Sequence, residues 1–141
     1  MMTLPAWMLL GFATWTVLLL LVTVGIYRWS RILTGRVPIS EFRADQVEGK
    51  DWYKRSMRAH ANCVENLPVF GAIVFALYAG HIASATVNVL AVAILAARIM
   101  QSLVHVCLVQ TNTVVSFRFG FFFVQIVCFL WLIAVITANF I

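Results

Sequence analysis

Six polar residues stand out in an otherwise apolar chain. Arg58, Asn62 and Glu65 are spaced i, i+4, i+7, and Arg98, Gln101 and His105 are spaced i, i+3, i+7. At about 100° per residue, each set shares one face of a helix. Arg55 lies three residues before Arg58 and close to the same stripe, while His60 points elsewhere. Ionisable side chains inside a bilayer are costly, so each one is a default site candidate. Two such stripes on spanning helices cannot both look at hydrocarbon. They face each other, the bundle interior or a second subunit.

Arginine offers paired donors to carboxylates. Glu65 can take an ammonium, and Asn62 supplies both a donor and an acceptor. The set suits a small anionic zwitterion with carboxylates and an amine, and a peptide-like molecule such as glutathione fits that description. An arginine beside its sulfur favours the thiolate, the nucleophilic form. The competing reading is structural: Arg58 and Glu65 pair with each other, and Lys54 and Arg55 reach to the interface as long cationic side chains do. Arg98 is harder to explain structurally, because a mid-span arginine without a role is expensive. His81 reads as interfacial. The aromatic cluster Phe117, Phe119, Phe121, Phe122 and Phe123 reads as lipid-facing or packing surface, as do Trp7, Trp15 and Trp131. No zinc spacing, phosphate loop or hydrolase elbow occurs, so no metal site is expected.

The elements that must carry these stripes follow from composition. Of 141 residues, 63% are hydrophobic and 11% are charged, against about 25% charged in a soluble domain. This much apolar surface needs lipid as part of its solvent. The expectation is an all-α polytopic membrane protein, a single domain over residues 1–141 that crosses the bilayer four times. The first helix is expected over 6–27, with Tyr27 and Trp29 at the interface and a polar connector over 28–51. The second is expected over 52–79, with Pro68 inside it. A turn over 80–88, a third helix over 87–109, a connector over 110–116 and a fourth helix over 119–141 complete the chain. Apolar runs of this length suffice to span.

Eight of the ten Lys and Arg lie between Arg28 and Arg58, and none lies in the turn over 80–88. The basic excess puts the first and third connectors in the cytoplasm. It reads as membrane topology, and nucleic acid is not an expected partner. The first 27 residues carry no charged side chain, so no cleavable signal is evident and the first segment is expected to remain as an anchor. The compact chain leans toward a bacterial inner membrane. Cys63, Cys107 and Cys128 all sit in apolar stretches and read as buried packing residues without a disulfide.

The stretch Arg58-Ala59-His60-Ala61-Asn62-Cys63-Val64-Glu65-Asn66-Leu67-Pro68-Val69-Phe70 resembles the signature of the MAPEG family, the membrane-associated proteins in eicosanoid and glutathione metabolism. The resemblance covers nearly the whole chain and includes the long basic first connector and Ala97-Arg98 on the third helix. It implies a homotrimer of four-helix subunits with glutathione bound between neighbours near the cytoplasmic side. By matching positions, Arg58, Asn62 and Glu65 would hold the glutathione backbone and Arg98 would reach it from the third helix. Gln101 and His105 fall where the family often has a histidine or tyrosine contact, and Arg55 belongs with the same set. Thr34-Gly35-Arg36-Val37 resembles the end of the family's first helix, which makes Arg36 a candidate contact.

Two departures matter. His105 replaces a common tyrosine. The arginine that eicosanoid-forming members use on the thiol lies soon after the third helix, and the only candidate here is Arg118, several residues further on. Eicosanoid activities are therefore not implied. The resemblance implies a glutathione transferase, with peroxidase activity as a second reaction, acting on lipophilic electrophiles that enter from the lipid bilayer. Arg118 or Arg98 would stabilise the thiolate. Two other classes remain open: a small proton-coupled multidrug transporter that uses Glu65, and a non-catalytic glutathione-binding membrane protein.

Overall fold

The computed structural model describes residues 2–43 and 47–140. Four helices are long and apolar enough to cross a membrane: α1 (Leu4–Leu33), α2 (Asp51–Ala79), α3 (Ala85–Cys107) and α4 (Asn112–Ala138). The helix α3 is central and packs against the other three. Half of its most apolar stretch is buried, against 22–28% in the others, so most of α1, α2 and α4 faces outward.

Apolar burial gains little where the surroundings are lipid tails, so fit and hydrogen bonding hold such a bundle. Small residues, Ala59 on α2 and Ala91 and Ala97 on α3, sit buried at the helix contacts. Phe12, Phe70 and Phe129 interlock from three helices, with ring centroids 5.8 and 6.1 Å apart. Hydroxyls inside the spans satisfy themselves on the preceding turn: Thr16 donates to Phe12 O, Ser56 to Trp52 O and Ser102 to Arg98 O, all at 2.9 Å. That arrangement lets Ser and Thr sit in hydrocarbon without a partner helix.

The first helix runs six residues past its expected end. It is π-helical over Leu20–Gly25 and α-helical again over Ile26–Leu33. The extension holds because its arginines find aromatic partners. The Arg28 Nε donates to the Tyr53 hydroxyl at 2.8 Å, and the Arg28 Cζ lies 5.4 Å from the Phe42 ring centre. The Arg31 Cζ lies 4.4 Å from the Tyr27 ring centre. Cations over ring faces are attracted to the π cloud. Tyr27 is a buried packing residue, stacked on Tyr53 at 4.2 Å. The helix stops at Thr34. Gly35 takes φ +67°, its N–H donates to Ile32 O, and the Arg36 N–H donates to Arg31 O. These paired bonds are a Schellman motif, whose left-handed position favours glycine. Residues 44–46 of the expected connector lie outside the described residues.

The second helix starts one residue before its expected position and continues unbroken through Pro68. Ser84 caps α3, its hydroxyl accepting from the Val87 N–H at 3.2 Å. Thr111 caps α4 in the same way at 3.3 Å. That cap starts α4 seven residues before the expected position, so Phe117 and Arg118 are helical. Polar residues 110–116 looked like a loop because Ser, Thr and Asn favour both loops and caps. The expected end at Ile141 lies outside the described residues. All three cysteines are free; Cys63 and Cys128 are buried as expected, but Cys107 is exposed at the end of α3.

Candidate functional site

The two stripes each span seven residues and differ in environment. On α3, Arg98, Gln101 and His105 are all buried, at 1%, 6% and 2% exposure. On α2, Ala59 and Cys63 are buried, while the stripe one residue before them is not: Arg58 and Glu65 are exposed and Asn62 is half-buried. One residue is about 100° of helix, which turns Arg58 and Glu65 onto the flank. Arg58 and Glu65 form no ion pair with each other among the described residues, where the one ion pair joins Arg55 to Asp51.

The stripes meet at one place. Asn62 of α2, Gln101 of α3 and Arg118, Phe119 and Phe122 of α4 line a cleft of about 210 Å³. Behind it lies a chain of amides. Gln125, fully buried on α4, donates from Nε2 to Gln101 Oε1 at 3.0 Å and to Phe121 O at 2.9 Å. The Gln101 Nε2 donates to Arg118 O at 3.3 Å.

Positive charge gathers here. The Arg118 guanidinium feels the charge of Arg58, and His105 feels those of Arg118, Arg58 and Arg55. Several donors in this region are buried without a partner: Arg118 Nε, Arg55 Nε, and Arg98 Nε and Nη2. Arg55 is partly engaged through Asp51 and through a 3.5 Å contact with Val106 O. Arg98 lies deeper. Its Cζ sits 5.4 Å from the Phe12 ring centre, and the groups acting on its charge are Cys63 and Glu65. Cys63 is itself 3.5 Å from the Ser102 hydroxyl. Arg98 and His105 do not line the cleft, and Arg36 is exposed beyond the end of α1. Buried polar groups ordinarily have partners, so partnerless guanidinium N–H groups gathered in a cationic region fit an anionic guest. The carboxylates of glutathione are of that chemistry. Among the described residues no three His, Cys, Asp or Glu side chains gather as metal ligands would.

Three residues of the cleft and the amides behind it do not stand out in the sequence as functional. Phe119 and Phe122 belong to the aromatic cluster that the sequence presents as lipid-facing or packing surface. Gln125 follows Arg118 by seven residues and so shares its face, the same signal that picked out the stripes on α2 and α3.

No curated protein and no solved structure matches the chain. The family model described as MAPEG family matches residues 4–138. With nearly its whole length covered, and four membrane-spanning helices carrying these residues, the chain belongs to the MAPEG family.

Proposed function

We propose that the protein is a membrane-bound glutathione transferase that conjugates glutathione to lipophilic electrophiles, with glutathione-dependent peroxidase activity as a second reaction. The MAPEG family includes membrane glutathione transferases and related enzymes. The observation that carries the reading is a cleft lined by Asn62, Gln101 and Arg118, at which the Arg118 Nε is buried without a partner. In this reading Arg58 and Arg55 take the carboxylates, Glu65 takes the ammonium, and Asn62 and Gln101 bind peptide groups. Arg118 stands nearest the sulfur and favours the thiolate. The thiolate sulfur attacks the electrophilic carbon, a C–S bond forms, and the leaving group departs with its electron pair. Phe119 and Phe122 offer the apolar partner a surface on the lipid side. The remaining gain comes from holding the two reactants together.

A homotrimer belongs to the same reading. Arg58 and Glu65 are exposed inside a membrane-spanning helix, and charges there are rarely left to lipid. A cleft of about 210 Å³ is also smaller than the roughly 300–1,000 Å³ of ordinary ligand pockets. A neighbouring chain packed on α2 would cover the charges and supply the missing wall. The basic residues between Arg28 and Arg58 support a cytoplasmic side for the first and third connectors.

Purified protein mixed with glutathione and chlorodinitrobenzene tests the reaction. Conjugation above the uncatalysed rate is expected, together with glutathione binding by calorimetry. Binding without turnover would leave a non-catalytic glutathione-binding protein. No binding, with Glu65-dependent proton-coupled uptake into liposomes, would replace the reading by a transporter.

A further inference from the structure

Gln125 lines no part of the cleft, yet it is bonded to Gln101, which does. It is fully buried among apolar neighbours on α4, two helical turns beyond Arg118. A side-chain amide donates at one end and accepts at the other. Because Gln101 accepts from Gln125 on Oε1, its Nε2 is directed at the carbonyl of Arg118. Gln125 is held in turn by its bond to Phe121 O. The result is a fixed sequence of donors and acceptors that begins on α4, crosses to α3 and returns to α4 at Arg118. It ties the backbone of α4 at Arg118 to α3. Bulk packing does not need this bond, since Cys128, Phe129 and Leu132 already bury the same face of α4.

We propose that Gln125 is a positioning residue for the thiol chemistry, acting through Gln101 to hold the Arg118 guanidinium at the cleft. The inference rests on the transferase reading, in which Arg118 favours the thiolate. Gln125 touches neither substrate. Its loss is therefore expected to alter the chemical step and leave glutathione binding largely intact.

The test is a double-mutant cycle with Gln125→Met and Gln101→Met, since Met keeps length and shape while removing the amide. In the wild-type background Gln125→Met is expected to lower kcat about tenfold, within the range a small misplacement of a catalytic group produces. The pH–rate profile is expected to shift to the alkaline side, with the glutathione KM little changed. In the Gln101→Met background the same change is expected to add nothing, because the path through Gln101 is already broken. An unchanged kcat and pH profile, or an equal loss in both backgrounds, overturns the proposal. Backbone hydrogen exchange over residues 115–121 gives a readout independent of turnover. Exchange is expected to rise in Gln125→Met and not to rise further in the double variant, and unchanged exchange also overturns the proposal. If the wild type shows no turnover, the transferase reading fails by itself and the exchange data alone decide whether Gln125 positions Arg118. Should Gln125→Met not fold, Gln125→Leu removes the same bonds with a different shape.

Discussion

The polar stripes of α2 and α3 have nearly the same spacing and opposite fates. On α3 the stripe points into the bundle, where Arg98, Gln101 and His105 are enclosed by α1, α2 and α4. On α2 the stripe sits on the flank, and Arg58 and Glu65 remain exposed along a membrane-spanning segment. The difference lies in neighbours. A central helix buries more of what it carries, half of its most apolar stretch here, while an outer helix buries only the face turned to its partners. In the buried stripe Gln101 finds its partners within the chain, through Gln125 and Arg118, while Arg98 and the His105 Nδ1 keep partnerless atoms. A flanking stripe is free to meet something from outside, either a ligand or a second chain. The α3 stripe therefore builds the wall of the site and the α2 stripe presents it.

Substitutions separate these roles. The largest effect on folding is expected at Arg98, the largest side chain buried below 2% exposure. Arg98→Ala would leave a cavity and is expected to destabilise the fold by about 3 kcal/mol, within the usual range for emptying a core position. Arg98→Met keeps most of the volume and removes the partnerless Nε and Nη2. It is expected to destabilise less than Arg98→Ala, because it keeps most of the volume while removing a buried charge. Thermal unfolding in detergent checks both variants, and equal destabilisation by the two would show that the guanidinium has a partner the fold depends on.

Arg58→Ala is expected to do the reverse. Unfolding should move by less than about 0.5 kcal/mol, as at an exposed site. Glutathione affinity should fall by about 1.5–3 kcal/mol, the size of a hydrogen bond to a charged group. Calorimetry on an intact assembly measures the second quantity, and unchanged affinity would make Arg58 a structural or interfacial residue. The smallest effect belongs to the Arg55–Asp51 pair, one turn apart at the head of α2 with Asp51 74% exposed. Asp51→Asn is expected to lower stability by about 0.3–0.5 kcal/mol and to lose even that in high salt. A larger, salt-insensitive loss would place this end of α2 with the buried α3 stripe in its behaviour.

Much of the architecture was legible because lipid imposes a blunt rule: about twenty apolar residues make a span. The bounds of α2 came within one residue at its start, where Asp51 and Trp52 follow a glycine-containing loop. The end of α1 and the start of α4 were missed for a shared reason. Both are helix lying outside the most apolar run, held by contacts that hydropathy does not register. Arg28 and Arg31 rest on rings contributed by Tyr27, Phe42 and Tyr53, and Thr111 caps a helix from within a polar tract. At the site, period alone identified which residues share a face. It did not separate inside from flank, because that depends on where neighbouring helices stand. Arg98 and His105, expected to reach the ligand, lie in the chain's interior, and Arg118 lies in the second turn of α4 instead of near a connector. Gln125 was overlooked among the apolar residues of α4, although its register with Arg118 was visible.

The central claim is that arginines of α2 and α4 hold a charged tripeptide. A structure of the assembled protein determined with glutathione tests it most directly. The expected result is ligand density at the cleft lined by Asn62, Gln101 and Arg118, with Arg58 bonded to a carboxylate and a neighbouring chain closing the open side. Arg58 and Glu65 bonded instead to residues of an adjacent chain, with no glutathione between them, would contradict it.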